Sequence, residues 1–125
     1  MTDALNLQDL AERYLASWNE TDPTARRALV GELWAPDGRY TDPLVSVVGP
    51  DAVDATLGAV QGQFAGLVFS LRGPVDAHHD IARFTWELGP EGGEALVVGF
   101  DVLVADADAR IAGVHGFLDQ VPASV

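Results

Sequence analysis

Three oxygen-bearing side chains stand where a plain core would not put them. Asp101 is the only charged residue between Ala95 and Ala105, in the run ALVVGFDVLVA. That run is apolar on both parities, the pattern of a strand covered on both faces. An ionised carboxyl buried there is costly unless paired, and the usual response is a raised pKa. Asp101 therefore reads as a neutral hydrogen-bond donor in a pocket, as an acid at the sheet rim, or as the partner of Arg83 on a neighbouring strand. Asp42 follows Tyr40 and Thr41 and precedes Pro43, which biases it towards extended backbone. It is either a base at a pocket mouth or ordinary Asp-Pro turn chemistry. Tyr14 falls on an apolar helical stripe, so its phenol needs a buried partner, and Asp101 or a ligand oxygen would give it a chemical role.

Other constellations are weaker. His78 and His79 are adjacent in what reads as one strand, so they point to opposite faces and cannot share a metal ion. Strand parity groups His79 with Ile81 and Arg83, and His78 with Phe84 and Trp86. His115 is the third imidazole, and no metal site is expected. The sequence has no cysteine, which excludes a thiolate zinc site, a disulfide scaffold and a cysteine nucleophile. It has no Gly-rich phosphate loop and no nucleophile elbow.

The elements that must position these residues follow from hydrophobic period. Leu7, Leu10, Ala11, Tyr14, Leu15 and Trp18 recur at helical spacing, with Asn6 as N-cap and Asp9 in the first turn. Asp22-Pro23 opens a second helix that buries Leu29, Val30, Leu33 and Trp34 and stops before Pro36. Asp37-Gly38 reads as a turn, and Arg39–Thr41 as a short extended piece. Gly49-Pro50-Asp51 starts a third helix with Val53, Leu57, Val60 and Phe64 inward and Gly66 as its stop. The period then changes to two, with strands expected over Val68–Arg72, Asp76–Leu88, Glu94–Ala105 and Arg110–Leu118. Short links imply antiparallel pairing. The order α-α-β-α-β-β-β-β is that of an α+β domain with its helices on one face of a curved sheet.

The chain has 125 residues, of which 48% are apolar. At that size roughly two thirds of the unfolded surface is buried on folding, enough for one core and a single domain spanning residues 1–125. Seven arginines and no lysine stand against nineteen acids, a net charge of −12. Only Arg26 and Arg27 are adjacent, so a nucleic-acid or anionic-membrane surface is not expected. With no 18-residue apolar run and no basic leader, the expected location is the cytoplasm.

The segments RYLASWNETD, LWAPDGRYTDPL, GPDAVDATL, AHHDIARFTWEL and VVGFDVLVADADARIAGVHGFLD resemble the SnoaL-like branch of the NTF2-like superfamily, over Leu7 to Asp119. The resemblance implies a cone-shaped α+β barrel, an apolar pocket for a small hydrophobic ligand, and a homodimer through the outer sheet face. Three positions look like those of ketosteroid isomerases: Asp42 as general base, with Tyr14 and a protonated Asp101 as donors to the substrate oxyanion. That enzyme is the standard case of a carboxylic acid kept neutral by an apolar site. It implies proton transfer beside a carbonyl, with no cofactor. The expected lining is Trp18, Trp34, Tyr40, Phe64, Arg83, Trp86, Phe100 and His115. A non-catalytic binding or accessory protein is the alternative. Epoxide hydrolase chemistry is disfavoured: Arg83 matches that pattern, but Thr85 and Gly116 stand where aspartates are expected. A polyketide cyclase would also want an acid near Gly116.

Overall fold

A computed structural model of the chain describes residues 6–122. Helix α1, Leu7–Ser17, begins where the Asn6 side chain accepts the Asp9 amide at 2.9 Å. Helix α2, Pro23–Leu33, begins the same way, with Asp22 accepting the Ala25 amide at 2.9 Å and proline at the first helical position. Both caps satisfy amides that the first turn leaves without partners. Helix α3, Pro50–Gln63, starts after Gly49, whose φ of 94° is one that a side chain rarely adopts.

The strands are β1, Trp34–Thr41; β2, Ser46–Val48; β3, Val68–Leu71; β4, Asp76–His78; β5, Ile81–Gly89; β6, Val97–Ala105; and β7, Ile111–Gln120. They form one sheet in the order β2-β1-β7-β6-β5-β3, with β4 pairing one end of β5. Every pairing is antiparallel except β1 with β7, which is parallel. β2 and β3 end the path and do not pair with each other, so the sheet curves around the helices and does not close. Tyr14, Leu33, Trp34, Leu57, Phe84, Leu103, Ile111 and Val114 fill the space between helices and sheet.

Three expectations need correction. The single strand expected over Asp76–Leu88 is a hairpin, β4 and β5, turning at His79 with φ of 51°. His78 and His79 therefore do not share one regular strand, and the parity groups drawn through them do not exist. A left-handed turn residue is usually Gly, Asn or Asp, so histidine gave no signal. Asp37-Gly38 is not a turn between elements but an irregularity inside β1, where the pairing with β7 jumps from Trp34↔Ile111 to Arg39↔Gly113. Gly38 is required there, because a Cβ would stand 2.7 Å from the Trp34 ring and 2.8 Å from the Ile111 carbonyl. The short strand β2 lies in Ser46–Val48, which the sequence reading left unassigned.

Candidate functional site

The period of two decides which side chains reach the inside. On β6, Val97, Gly99, Asp101, Leu103 and Ala105 are buried inward, while Phe100, Val102 and Val104 are only partly covered. Asp101 lies level with Phe84 of β5 and Gly116 of β7. It is 3% exposed, although it is charged in its ordinary state. Above it the Tyr14 hydroxyl of α1 donates to Oδ2 at 3.1 Å. Burial is the main influence on this carboxyl and raises its pKa from 3.8 to about 6. The Trp86 indole N–H, short of hydrogen-bond geometry, and the Tyr14 hydroxyl favour the charged form, and the charge of Asp42 disfavours it. Tyr14 is pushed well above the ordinary phenol range, first by burial and then by Asp101.

Asp42 ends β1. Its Oδ1 accepts the Leu44 and Val45 amides at 2.8 and 3.0 Å, and its Oδ2 accepts the Tyr40 hydroxyl at 2.6 Å. These bonds close the tight turn between β1 and β2, together with the Asp42 amide bonded to the Val45 carbonyl at 2.9 Å. Burial, and then the bond to Asp42, push the Tyr40 phenol far up.

Between these groups lies a cavity of about 100 Å³. Its wall is a relay of rings: Trp18 stands 5.7 Å from Tyr40 and 5.3 Å from Phe69, and Phe69 stands 5.4 Å from Trp86. Local bonds fix these rings. The Asn19 side chain brackets the Phe69 backbone at 2.8 and 2.9 Å, and Gln61 donates to the Trp18 and Glu20 carbonyls at 3.0 and 2.8 Å. Arg26 holds Gln61 and Asp54 at 2.8 Å, tying α2 to α3. Trp86 lies across Gly99, where a Cβ would be 2.1 Å from the indole. Leu44, Phe117 and Val121 line the cavity yet stay exposed, and so mark its rim.

Of the residues expected from sequence, Trp18, Tyr40, Phe64, Trp86, Asp42 and Asp101 line this cavity. Tyr14 sits behind it and reaches it through Asp101. Four lie elsewhere. Arg83 and His115 are level with Val102, and Phe100 neighbours the inward Asp101, so all three occupy the outer face of the sheet. Arg83 is exposed and pairs with Asp76 at 3.0 Å, not with Asp101. Trp34 is fully buried beside Tyr14, 6.3 Å between ring centres, and its Nε1 has no hydrogen-bond partner among the described residues. The lining residues missed from sequence include Leu15, Val60, Gln63, Phe69, Leu88, Val97 and Leu118. Alternation from Asp101 would have named Val97 and rejected Phe100; Phe69 and Leu118 depend on register across strands.

Among the described residues no arginine or histidine lines the cavity. Among the described residues, no group of His, Asp or Glu could hold a metal ion. No helix there is long and apolar enough to cross a membrane.

Residues 11–114 match the family model of the SnoaL-like domain, and the chain belongs to that family. Among solved structures, it is 40% identical to a SnoaL-like protein from Agrobacterium tumefaciens described as a candidate isomerase. That match covers 90% of this chain and 96% of the other, with a TM-score of 0.85. A SnoaL-like candidate polyketide cyclase from Jannaschia is 18% identical over 92% of this chain and 88% of its own, with a TM-score of 0.70. An NTF2-like protein of unknown function from Exiguobacterium is 19% identical over 90% and 99%, also at 0.70. At those identities the last two carry the fold alone. No curated protein matches the sequence.

Proposed function

We propose that the protein binds a small, uncharged, hydrophobic carbonyl compound and moves a proton on the carbon beside the carbonyl. The observation that carries this reading is the pairing of two carboxyls, Asp42 and Asp101, on the wall of an otherwise apolar, aromatic cavity. In such a site one acid can abstract a proton while a hydroxyl or neutral acid meets the enolate oxygen. Tyr14, already bonded to Asp101, belongs to the same network. The chemistry asks for no cofactor. The 40% identity to a candidate isomerase agrees with it.

Size and charge narrow the ligand. An engineered apolar cavity of about 150 Å³ holds benzene. The space here, about 100 Å³, is smaller and takes at most one ring, with any larger part leaving past Leu44, Phe117 and Val121. Two acids, no lining cation and a net charge of −12 oppose an anionic ligand. We also propose a homodimer through the outer face of β5, β6 and β7, where Ile81, Phe100, Val102 and Val104 form an apolar strip.

The test uses 2-indanone and indane-2-carboxylate, one skeleton in neutral and anionic form. Trp18 and Trp86 fluorescence should report saturable binding of the ketone and at least a hundredfold weaker binding of the acid. The α-protons of bound ketone should exchange with solvent deuterium faster than in buffer. Equal binding of both compounds would sink the ligand class. Binding without faster exchange would leave a non-catalytic binding protein, the reading that the apolar lining alone supports.

A further inference from the structure

Asp42 and Asp101 share a cavity but meet it with different oxygens to spare. Resting on the proton-transfer reading, we propose that Asp101 is the carboxylate that takes the proton from the ligand, and that Asp42 is a positioning residue holding the turn after β1.

Asp42 has both oxygens engaged. Two backbone amides occupy Oδ1 and the Tyr40 hydroxyl occupies Oδ2, at 2.6 to 3.0 Å. A carboxylate has about four lone-pair sites, so these three donors leave Asp42 one site, on Oδ2, where a proton would compete with the Tyr40 bond that helps fix the turn. Among the described residues Asp101 takes one hydrogen bond, on Oδ2 from Tyr14, with the Trp86 N–H near the carboxyl. Its Oδ1 lies over Gly116, 2.8 Å from the point where a side chain would begin. The bare backbone at Gly116 therefore leaves room for that oxygen on the cavity wall. The groups around Asp101 are Tyr14 from α1, Trp86 from β5, Tyr40 from β1 and Asp42 from the turn after it, none of them a cation. Tyr14 and Trp86 offer hydrogens, so the carboxyl is addressed as an acceptor. With its pKa raised to about 6 by burial, it is largely ionised at neutral pH and matched to general-base work.

The step balances without a further reactant. The ligand C–H bond breaks, its proton goes to Oδ1, and its electron pair moves through the carbonyl to give an enolate. Oδ1 then returns the proton to the same carbon or to a conjugated one. Gln63 is the wall residue whose amide N–H can meet the enolate oxygen, since the Tyr40 hydroxyl hydrogen is given to Asp42.

The test is α-proton exchange of 2-indanone followed by NMR. Asp101→Asn should lower the bound-state rate at least a hundredfold, and Asp42→Asn less than tenfold. In the wild type the rate should rise with pH through about 6. Tyr14→Phe, which removes a donor to the charged form, should move that midpoint upward. Gly116→Ala, which displaces Oδ1, should follow Asp101→Asn. Gly113→Ala on the same strand, whose new Cβ comes no nearer than 3.5 Å to its neighbours, should match the wild type. If Asp42→Asn does not fold, the Gly116 and Gly113 variants and the pH midpoint decide. A hundredfold loss in Asp42→Asn with full exchange in Asp101→Asn would overturn the assignment alone, as would a wild-type rate in Gly116→Ala. Ketone bound by the wild type without exchange would reject proton transfer itself and this assignment with it.

Discussion

Asp101 is held between burial, which disfavours its charge, and donors that favour it. Its folded pKa lies above the unfolded value, about 6 against 3.8. The folded state therefore keeps a proton that the unfolded state releases between about pH 4 and 6. Stability from this group falls as pH rises through that window, and the penalty is complete above about pH 6. Its size is on the order of 3 kcal/mol. Asp101→Asn keeps an acceptor for Tyr14 and carries no charge. It should match the wild type near pH 4 and gain stability over it up to about pH 6, then hold a constant advantage, as read by urea denaturation. A difference independent of pH would show that Asp101 titrates as if exposed. The two acids were legible in the sequence for unequal reasons. Asp101 stood out because a lone charge in a doubly apolar strand has few places to go. Asp42 looked like either a base or a turn, and its hydrogen bonds are those of the turn, which is why we propose the reverse of the roles that the resemblance suggested.

At the level of elements, glycine positions decide how the strands carry the site. Trp86 lies flat because Gly99 opposite it on β6 has no side chain. Gly99→Ala should force the indole out of the cavity floor and cost about 1–3 kcal/mol. A lower melting temperature together with a red-shifted tryptophan emission would confirm that displacement; an unchanged spectrum would refute it. The helices were the most legible elements, since Asn6 and Asp22 cap where their side-chain chemistry says they should. The strands were legible in type but less so in extent. His79 hid a hairpin, and Gly38 hid a bulge, because each depends on a backbone conformation that residue type alone does not announce. Arg83, His115 and Phe100 were expected in the pocket for their chemistry. Register puts Arg83 and His115 on the far side of the sheet, and register is a property of pairs of strands that one strand cannot reveal, whereas Phe100 is excluded by alternation from Asp101 alone.

For the whole molecule, the apolar strip on the outer face is where a second copy would sit. Replacing one strip residue with a charge, as in Val102→Glu, should convert a dimer into a monomer in sedimentation and leave 2-indanone binding inside the cone intact. A wild-type chain that sediments as a monomer at tens of micromolar would remove the dimer proposal. The α+β order was readable because hydrophobic period changes from helical to alternating after α3. The parallel neighbourship of β1 and β7 was not, since nothing local links two strands so far apart in the chain. That pairing also shapes how the protein comes into being. The strand that leads into Asp42 is the first of the described strands to be made, and its parallel ladder partner is the last of them. Contacts so distant in sequence close slowly because the intervening loop loses entropy before it gains contacts. The cavity wall is complete only once β7 has joined the sheet, because Gly116, Phe117 and Leu118 of that strand line it.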